Sequence, residues 1–231
     1  MAIRPQTRFG PILLGLEPKV VGTISRRETL ARPAEFRCDV VEVRLDLIGA
    51  DTPDWLEKTA TIPLPTIVTI RLASEGGRWM QSDESRWPLF EQALQKATTV
   101  DIEYRSALLR RVSDLACRLQ KPLIISYHDF QKTPPLAELQ QIVRTASNYG
   151  TVVKIATLTE TEADVATLRA LFGEQCSASV CLLGMGPLGP RTRQEFPRLG
   201  SCFTYGYLDE PIAPGQVAAS ELMRQLKELR S

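Results

Sequence analysis

The sequence predicts an α/β fold of the (β/α)8 TIM-barrel type, formed as one domain over residues 1–231. Three observations lead there. Eight short, β-branched apolar segments recur along the chain with little polar alternation, as strands covered on both faces do. Amphipathic segments of helical period lie between many of them. The chain has 231 residues, 43% of them hydrophobic, which suffices for one sizeable core and lies within the range of a single barrel.

Taken in order, residues 9–16 are expected to pair with 19–23 as a β-hairpin across the barrel floor. The strand segments are 20–25, 40–46, 66–71, 99–103, 123–128, 151–156, 178–183 and 202–207. The helical segment 85–97 carries Trp87, Phe90, Glu91 and Leu94 at helical spacing, and 106–119 carries Leu108, Leu109, Val112, Leu115 and Leu119. Segment 135–149 opens on Pro135 and is followed by Gly150, a start and stop pair. Segment 159–172 opens on Thr-Glu-Thr-Glu, a capping signature, and is followed by Gly173. A last amphipathic helix spans 215–229. A doubly wound open sheet competes with the barrel, but no GxGxxG or Walker-type loop follows a strand; Gly184-Met185-Gly186 lacks the rest of either fingerprint. No linker-like or low-complexity break divides the chain.

With 28 basic and 27 acidic residues, the net charge of +1 gives no bulk attraction to nucleic acid or a membrane surface. The five cysteines, Cys38, Cys117, Cys176, Cys181 and Cys202, form no CxxC pair. Their scatter fits free thiols in a reducing compartment rather than a disulfide framework or zinc site. Met1-Ala2-Ile3-Arg4-Pro5-Gln6 lacks a signal-peptide core and no apolar run is long enough to span a bilayer, so a cytoplasmic location is the expectation.

Lys154 is the most informative residue. It interrupts the buried-strand pattern Thr151-Val152-Val153-Lys154-Ile155-Ala156-Thr157. An ammonium there must be paired or must surrender its proton, because desolvation penalises the charged form. A neutral lysine is a nucleophile whose natural electrophile is a ketone or aldehyde. The alternative is a lysine that snorkels, stem buried and amine wet. The one histidine, His128, falls where a strand should end; it suits proton transfer near neutral pH, or else is merely packed or solvated.

In a barrel the C-terminal ends of the strands converge on one mouth. Glu42 and Arg44 share a strand face, with Asp46 following. Arg71 ends the third strand, with Glu75 shortly after. Asp101 and Glu103 lie on the fourth, His128 ends the fifth and Lys154 is in the sixth. The seventh leads to Met185; Arg193 lies in the next connection and Gln216 just after the last strand. Individually each has a dull account: Glu42 and Arg44 as an internal ion pair, Arg71 as a surface cation, Asp101 and Glu103 as partners for buried backbone groups. Together they support imine chemistry: Lys154 attacks a ketone, the iminium acidifies the neighbouring C–H, and His128 removes that proton and returns it to a departing β-hydroxyl. Glu75 would orient the imidazole, and nearby arginines would disfavour a charged lysine while holding substrate oxygens. No cofactor or metal is called for, since one histidine and scattered cysteines offer no ligand set.

These motifs resemble type I 3-dehydroquinate dehydratase of the shikimate pathway through nearly the whole chain. The resemblance rests on Val41-Glu42-Val43-Arg44-Leu45-Asp46, Arg71-Leu72-Ala73-Ser74-Glu75-Gly76-Gly77 and Ser126-Tyr127-His128-Asp129-Phe130. It continues through Val153-Lys154-Ile155-Ala156, Met185-Gly186, Arg193, Gly200-Ser201 and Ala213-Pro214-Gly215-Gln216. It implies a cofactor-free barrel hydro-lyase that converts 3-dehydroquinate to 3-dehydroshikimate by syn elimination. It implies Lys154 as the Schiff-base lysine, His128 as proton shuttle and Glu75 as its orienting partner. Glu42, Arg44 and Arg71 would bind substrate hydroxyls, and Arg193 and Gln216 the carboxylate side. The family is often dimeric, which makes a homodimer compatible, although no exposed apolar stripe stands out.

The chain departs from the family pattern in places. Ile212 stands where the family often has serine or threonine, Leu183-Gly184-Met185-Gly186 where it often has Met-x-Met-Gly, and Tyr205 where phenylalanine is frequent. The lid, Asp209-Glu210-Pro211-Ile212, is thereby short of one hydroxyl, and Tyr205 is read as a ring-packing residue. Two rivals remain: a Schiff-base aldolase, which would be expected to carry a glycine-rich phosphate site after the late strands, and a ligand-sensing barrel without catalysis.

Overall fold

Each barrel strand is covered on both faces, because one meets the interior of the cylinder and the other its jacket of helices. The computed structural model describes residues 6–51, 54–213 and 215–228. Residues 1–5, Pro214 of the Ala-Pro-Gly-Gln motif and Leu229 at the end of the last expected helix lie outside these.

The chain opens with β1 (Thr7–Phe9) and β2 (Ile12–Leu14), an antiparallel hairpin turning at Gly10-Pro11, where Gly10 adopts φ +58°. The hairpin is thus tighter than the sequence reading: 9–16 does not pair with 19–23. Residues 19–24 instead form β3 (Lys19–Ile24), the first barrel strand. Phe9 and Leu14 are fully buried in the inner core, and the Phe9 ring meets Phe203 edge-on at 5.2 Å. The hairpin therefore plugs the floor.

β4 (Val40–Arg44), β5 (Thr66–Thr69), β6 (Thr99–Glu103), β7 (Ile124–Asp129), β8 (Val152–Leu158), β9 (Ser179–Met185) and β10 (Phe203–Tyr207) follow in parallel, each paired with its predecessor up to β9. β10 pairs with β3, bringing the sheet round into a TIM barrel. Its seam, β9 against β10, has no strand ladder; Cys202 N–H donates to Val180 O at 2.9 Å and Ser201 Oγ accepts from Leu182 N–H at 3.0 Å. A two-residue β11 (Val217–Ala218) extends β10 at the mouth.

The jacket comprises α1 (Leu45–Ile48), α2 (Asp54–Thr61), α3 (Trp87–Lys96), α4 (Leu109–Arg118), α5 (Leu136–Ala146), α6 (Glu162–Ala170), α7 (Gly189–Leu199) and α8 (Ala219–Glu228). The link from β3 to β4 holds only two 3-10 turns, Thr29–Ala31 and Pro33–Glu35, so not every strand is followed by an α-helix; Pro33 opens the second turn. α1, α2 and α7 fall outside the expected helices: α1 takes over the end of the expected strand 40–46, α2 is short, and Pro190 and Pro197 obscure α7. Thr161 and Asp164 form a reciprocal capping box for α6.

Strand periodicity sorts the two cores. On β8, Val153 and Ile155 face the jacket, while Val152, Lys154 and Ala156 alternate with them and turn inward. The same rule sends Ile124, Ser126 and His128 of β7 inward, together with Thr99, Asp101 and Glu103 of β6. Apolar side chains fill the lower barrel, and charge collects above them.

Candidate active site

Register sets the depth of each group. Lys154 pairs across the sheet with Ser126 on one side and Cys181 on the other, and His128 with Ala156. His128 therefore stands one inward-facing step nearer the mouth than Lys154, a rise of about 6–7 Å along the strands. Above them opens a cavity that reaches solvent. All ten sequence-predicted residues line it: Lys154, His128, Glu75, Glu42, Arg44, Arg71, Arg193, Gln216, Met185 and Tyr205.

Lys154 is 6% exposed, which ends the snorkelling alternative. Its Nζ lies 3.3 Å from Asp101 Oδ2, 4.0 Å from Glu42 Oε1 and 4.2 Å from the centre of the Tyr205 ring. The expectation that nearby arginines would disfavour a charged lysine needs correction: the groups in direct contact are two carboxylates and an aromatic face. Asp101 also binds Arg71 Nη2 at 2.7 Å and accepts from Ser126 Oγ at 2.6 Å. Burial alone would raise its pKa, but Arg71 and Lys154 prevail and hold the carboxyl well below the usual range. Asp101 serves side chains rather than backbone, contrary to the expectation. The functional signal was its place on an inward face two residues from Glu103.

Glu103 does accept from a backbone group, Leu72 N–H at 3.0 Å, and it also pairs with Arg71 at 3.1 Å and Arg86 at 2.6 Å. Arg86 continues outward to Asp83 and Ser106. A chain of alternating charge, Asp83–Arg86–Glu103–Arg71–Asp101–Lys154, therefore crosses the barrel wall. Arg71 is buried within it and is no surface cation. Glu42 and Arg44 do not pair with each other. Glu42 accepts from Thr23 and Thr69 hydroxyls at 2.9 and 2.7 Å, while Arg44 binds Asp46 twice, at 2.9 and 2.8 Å, where the chain enters α1.

Glu75 Oε2 lies 3.0 Å from His128 Nδ1 and accepts from the His128 backbone N–H at 3.1 Å. Burial, aided by Glu103 and opposed by Arg71, pushes the Glu75 carboxyl up to about 7. Burial, with Arg71 and Lys154 adding to it, drives His128 well below its ordinary value despite Asp101. The imidazole is thus uncharged at neutral pH and able to accept a proton. Gly76 follows Glu75 at φ +77°, and a Cβ there would fall 2.3 Å from the Phe130 ring, so glycine lets that ring close over the cavity.

Arg193 comes from α7, 3% exposed, donating to Gly184 O at 2.9 Å and Tyr205 O at 3.2 Å. Among the described residues no carboxylate pairs with it, and burial lowers it to about 10. A buried guanidinium facing a cavity without a counter-ion is an anion site in waiting. On the lid, Gln216 Oε1 accepts from Ile212 N–H at 2.8 Å, and Asp209 accepts from Ser25 and Arg26 N–H at 3.0 Å each. Thr23, Phe130 and Ala213, which the sequence reading did not single out, also line the cavity. No group of three or more His, Cys, Asp or Glu among the described residues could hold a metal ion.

The family model for type I 3-dehydroquinase matches residues 20–231. The chain belongs to the type I 3-dehydroquinase family. It is 34% identical over 213 residues to a 3-dehydroquinate dehydratase of Methanocella arvoryzae, covering 92% of this chain and 97% of the relative. It is 37% identical over 218 residues to one from Methanothrix thermoacetophila, covering 91% of each. Among solved structures it is similar to the 3-dehydroquinate dehydratase of Aquifex aeolicus, at 31% identity and TM-score 0.77, over 90% of this chain and 97% of that one. The fold is shared more closely still with the Geobacillus kaustophilus structure, at TM-score 0.89 and 24% identity, over 100% of this chain and 98% of that one.

Proposed function

We propose that this chain is a 3-dehydroquinate dehydratase, a hydro-lyase of the shikimate pathway, whose single barrel domain acts through a Schiff base on Lys154. The observation that carries the reading is the buried Lys154 amine, one layer below an uncharged His128 and facing a cavity that also holds the uncompensated Arg193.

The amine of Lys154 attacks the substrate ketone. The C–N bond forms, the carbonyl oxygen takes one proton from the nitrogen and one from solvent and leaves as water, and the nitrogen becomes a cationic iminium. Asp101 and Glu42, already within 4.0 Å of Nζ, stabilise that cation. His128 removes a proton from the adjacent carbon, giving an enamine. The enamine electrons then expel the β-hydroxyl, which takes the proton from the imidazolium and departs as a second water. Hydrolysis of the conjugated iminium frees the enone and restores the amine. Glu75 fixes the imidazole through Nδ1, leaving Nε2 for the transfer. Arg193 and Gln216 hold the substrate carboxylate, while Glu42, Arg44 and Arg71 meet its hydroxyls; Met185 and the Tyr205 ring pack against the carbocycle.

Borohydride reduction in the presence of 3-dehydroquinate, followed by peptide mapping, tests the reading. A reduced adduct on Lys154 is expected, and an unmodified Lys154 overturns it. His128→Ala is expected to form that adduct while turnover stalls.

A further inference from the structure

Tyr205 brings more to the site than its ring. It lines the cavity from the inner face of β10, and its ring centre lies 4.2 Å from Lys154 Nζ. That contact needs only an aromatic face, which phenylalanine would supply equally. The hydroxyl is buried and has no hydrogen-bond partner among the described residues, one of three such side-chain atoms. Buried hydroxyls without partners are rare, and apolar replacement would relieve the unmet demand. A binding site is where such a group finds its partner.

We propose that the Tyr205 hydroxyl donates a hydrogen bond to the substrate ketone oxygen while Lys154 adds to the carbonyl. The assignment rests on the Schiff-base reading above and deepens it. As the N–C bond forms, the carbonyl π pair moves onto oxygen, and a donor carried on the ring that faces Nζ meets that growing charge. No bond to Tyr205 is made or broken. Burial, together with Glu42, Cys181 and Asp101, holds the phenol well above its usual range, so it remains a protonated donor throughout turnover. His128, placed nearer the mouth, is left free for the C–H proton.

The test is Tyr205→Phe, which keeps the ring over Lys154 and deletes one atom. Wild type and variant are mixed with 3-dehydroquinate, reduced with borohydride after millisecond delays, and the adduct on Lys154 is quantified by mass. Adduct formation is expected to slow about tenfold in the variant, with loss of water within the adduct, read from its mass, unchanged and the melting temperature equal or higher. Equal rates of adduct formation overturn the proposal. So does an equal slowing of both steps together with a lower melting temperature, which marks a packing role. A wild-type protein that forms no adduct overturns the Schiff-base reading itself, whereas a variant that matches an active wild type overturns only the hydroxyl's role.

Discussion

Replacing Glu75 with glutamine should make the protein more stable and a poorer catalyst. The carboxyl is 3% exposed, one oxygen holds His128 twice, and the other, Oε1, meets no partner among the described residues. Its folded-state value near 7 stands above the ordinary 4.5, so folding disfavours the charged form. The sign follows. Stability is fully present below about pH 4.5 and declines as pH rises through 7, a loss on the order of 3 kcal/mol by pH 8. Glutamine carries no charge to bury, although its amide N–H finds no acceptor where Oε1 sits, so a net gain of about 2 kcal/mol is expected at pH 8. Urea unfolding at pH 8 and pH 4 measures it: the gain should be present at the first and shrink at the second. Turnover should move the other way. Exchanging a charge-assisted hydrogen bond to the imidazolium for a neutral one removes about 1–2 kcal/mol, or roughly 5–30-fold in rate. The wild-type acid limb near pH 7 should flatten in the variant. A Glu75→Gln protein less stable than wild type at pH 8, or a gain independent of pH, refutes the reasoning.

Other expectations follow from the same geometry. His128 is the only histidine, so its ring resonances need no assignment; an NMR titration should show no inflection near pH 6.5, and an inflection at or above that value contradicts the burial argument. Ile212→Ser should lower KM about fivefold through one new hydrogen bond of about 1 kcal/mol, and an unchanged KM counts against a hydroxyl being useful there. Arg193→Met should raise KM by about 10–100-fold with a smaller effect on kcat, whereas a pure kcat defect would remove Arg193 from carboxylate binding. Arg86→Met should destabilise by about 3–5 kcal/mol in denaturant, because Glu103 loses one of its two cations in a dry environment; a neutral result would mean that the charge chain carries no strength.

Much of this site was legible because barrels translate strand position into depth. A lysine in Val152-Val153-Lys154-Ile155-Ala156 either faces the jacket, where it would be ruinous, or the interior, where it must be paired; period-two alternation with Val153 and Ile155 decides it. The arginines and carboxylates at strand ends followed by the same rule. Asp101 escaped because its partners come from β5 and beyond, from β7 and from β8, and pairing between strands distant in sequence leaves no local trace. The charge assigned around Lys154 went wrong for the same reason: a list of arginines near strand ends does not say which carboxylate each one already holds. The floor hairpin was misdrawn although Gly10-Pro11 is a turn dipeptide, since the apolar run 9–16 masked so short a loop. α7 was obscured by its two prolines, Pro190 in the first turn, where a helix tolerates it, and Pro197 inside the helix, where it removes a backbone donor.

The barrel's unlaced edge has a consequence for how it breathes. Arg193 spans that edge, one of its nitrogens on the carbonyl of Gly184 and another on that of Tyr205. An occupant that engages the guanidinium also clasps the two margins of the cylinder, so the protein should be stiffest while it is working. Slower amide deuteration in residues 181–185 and 203–207 when the cavity is filled would be the sign of it.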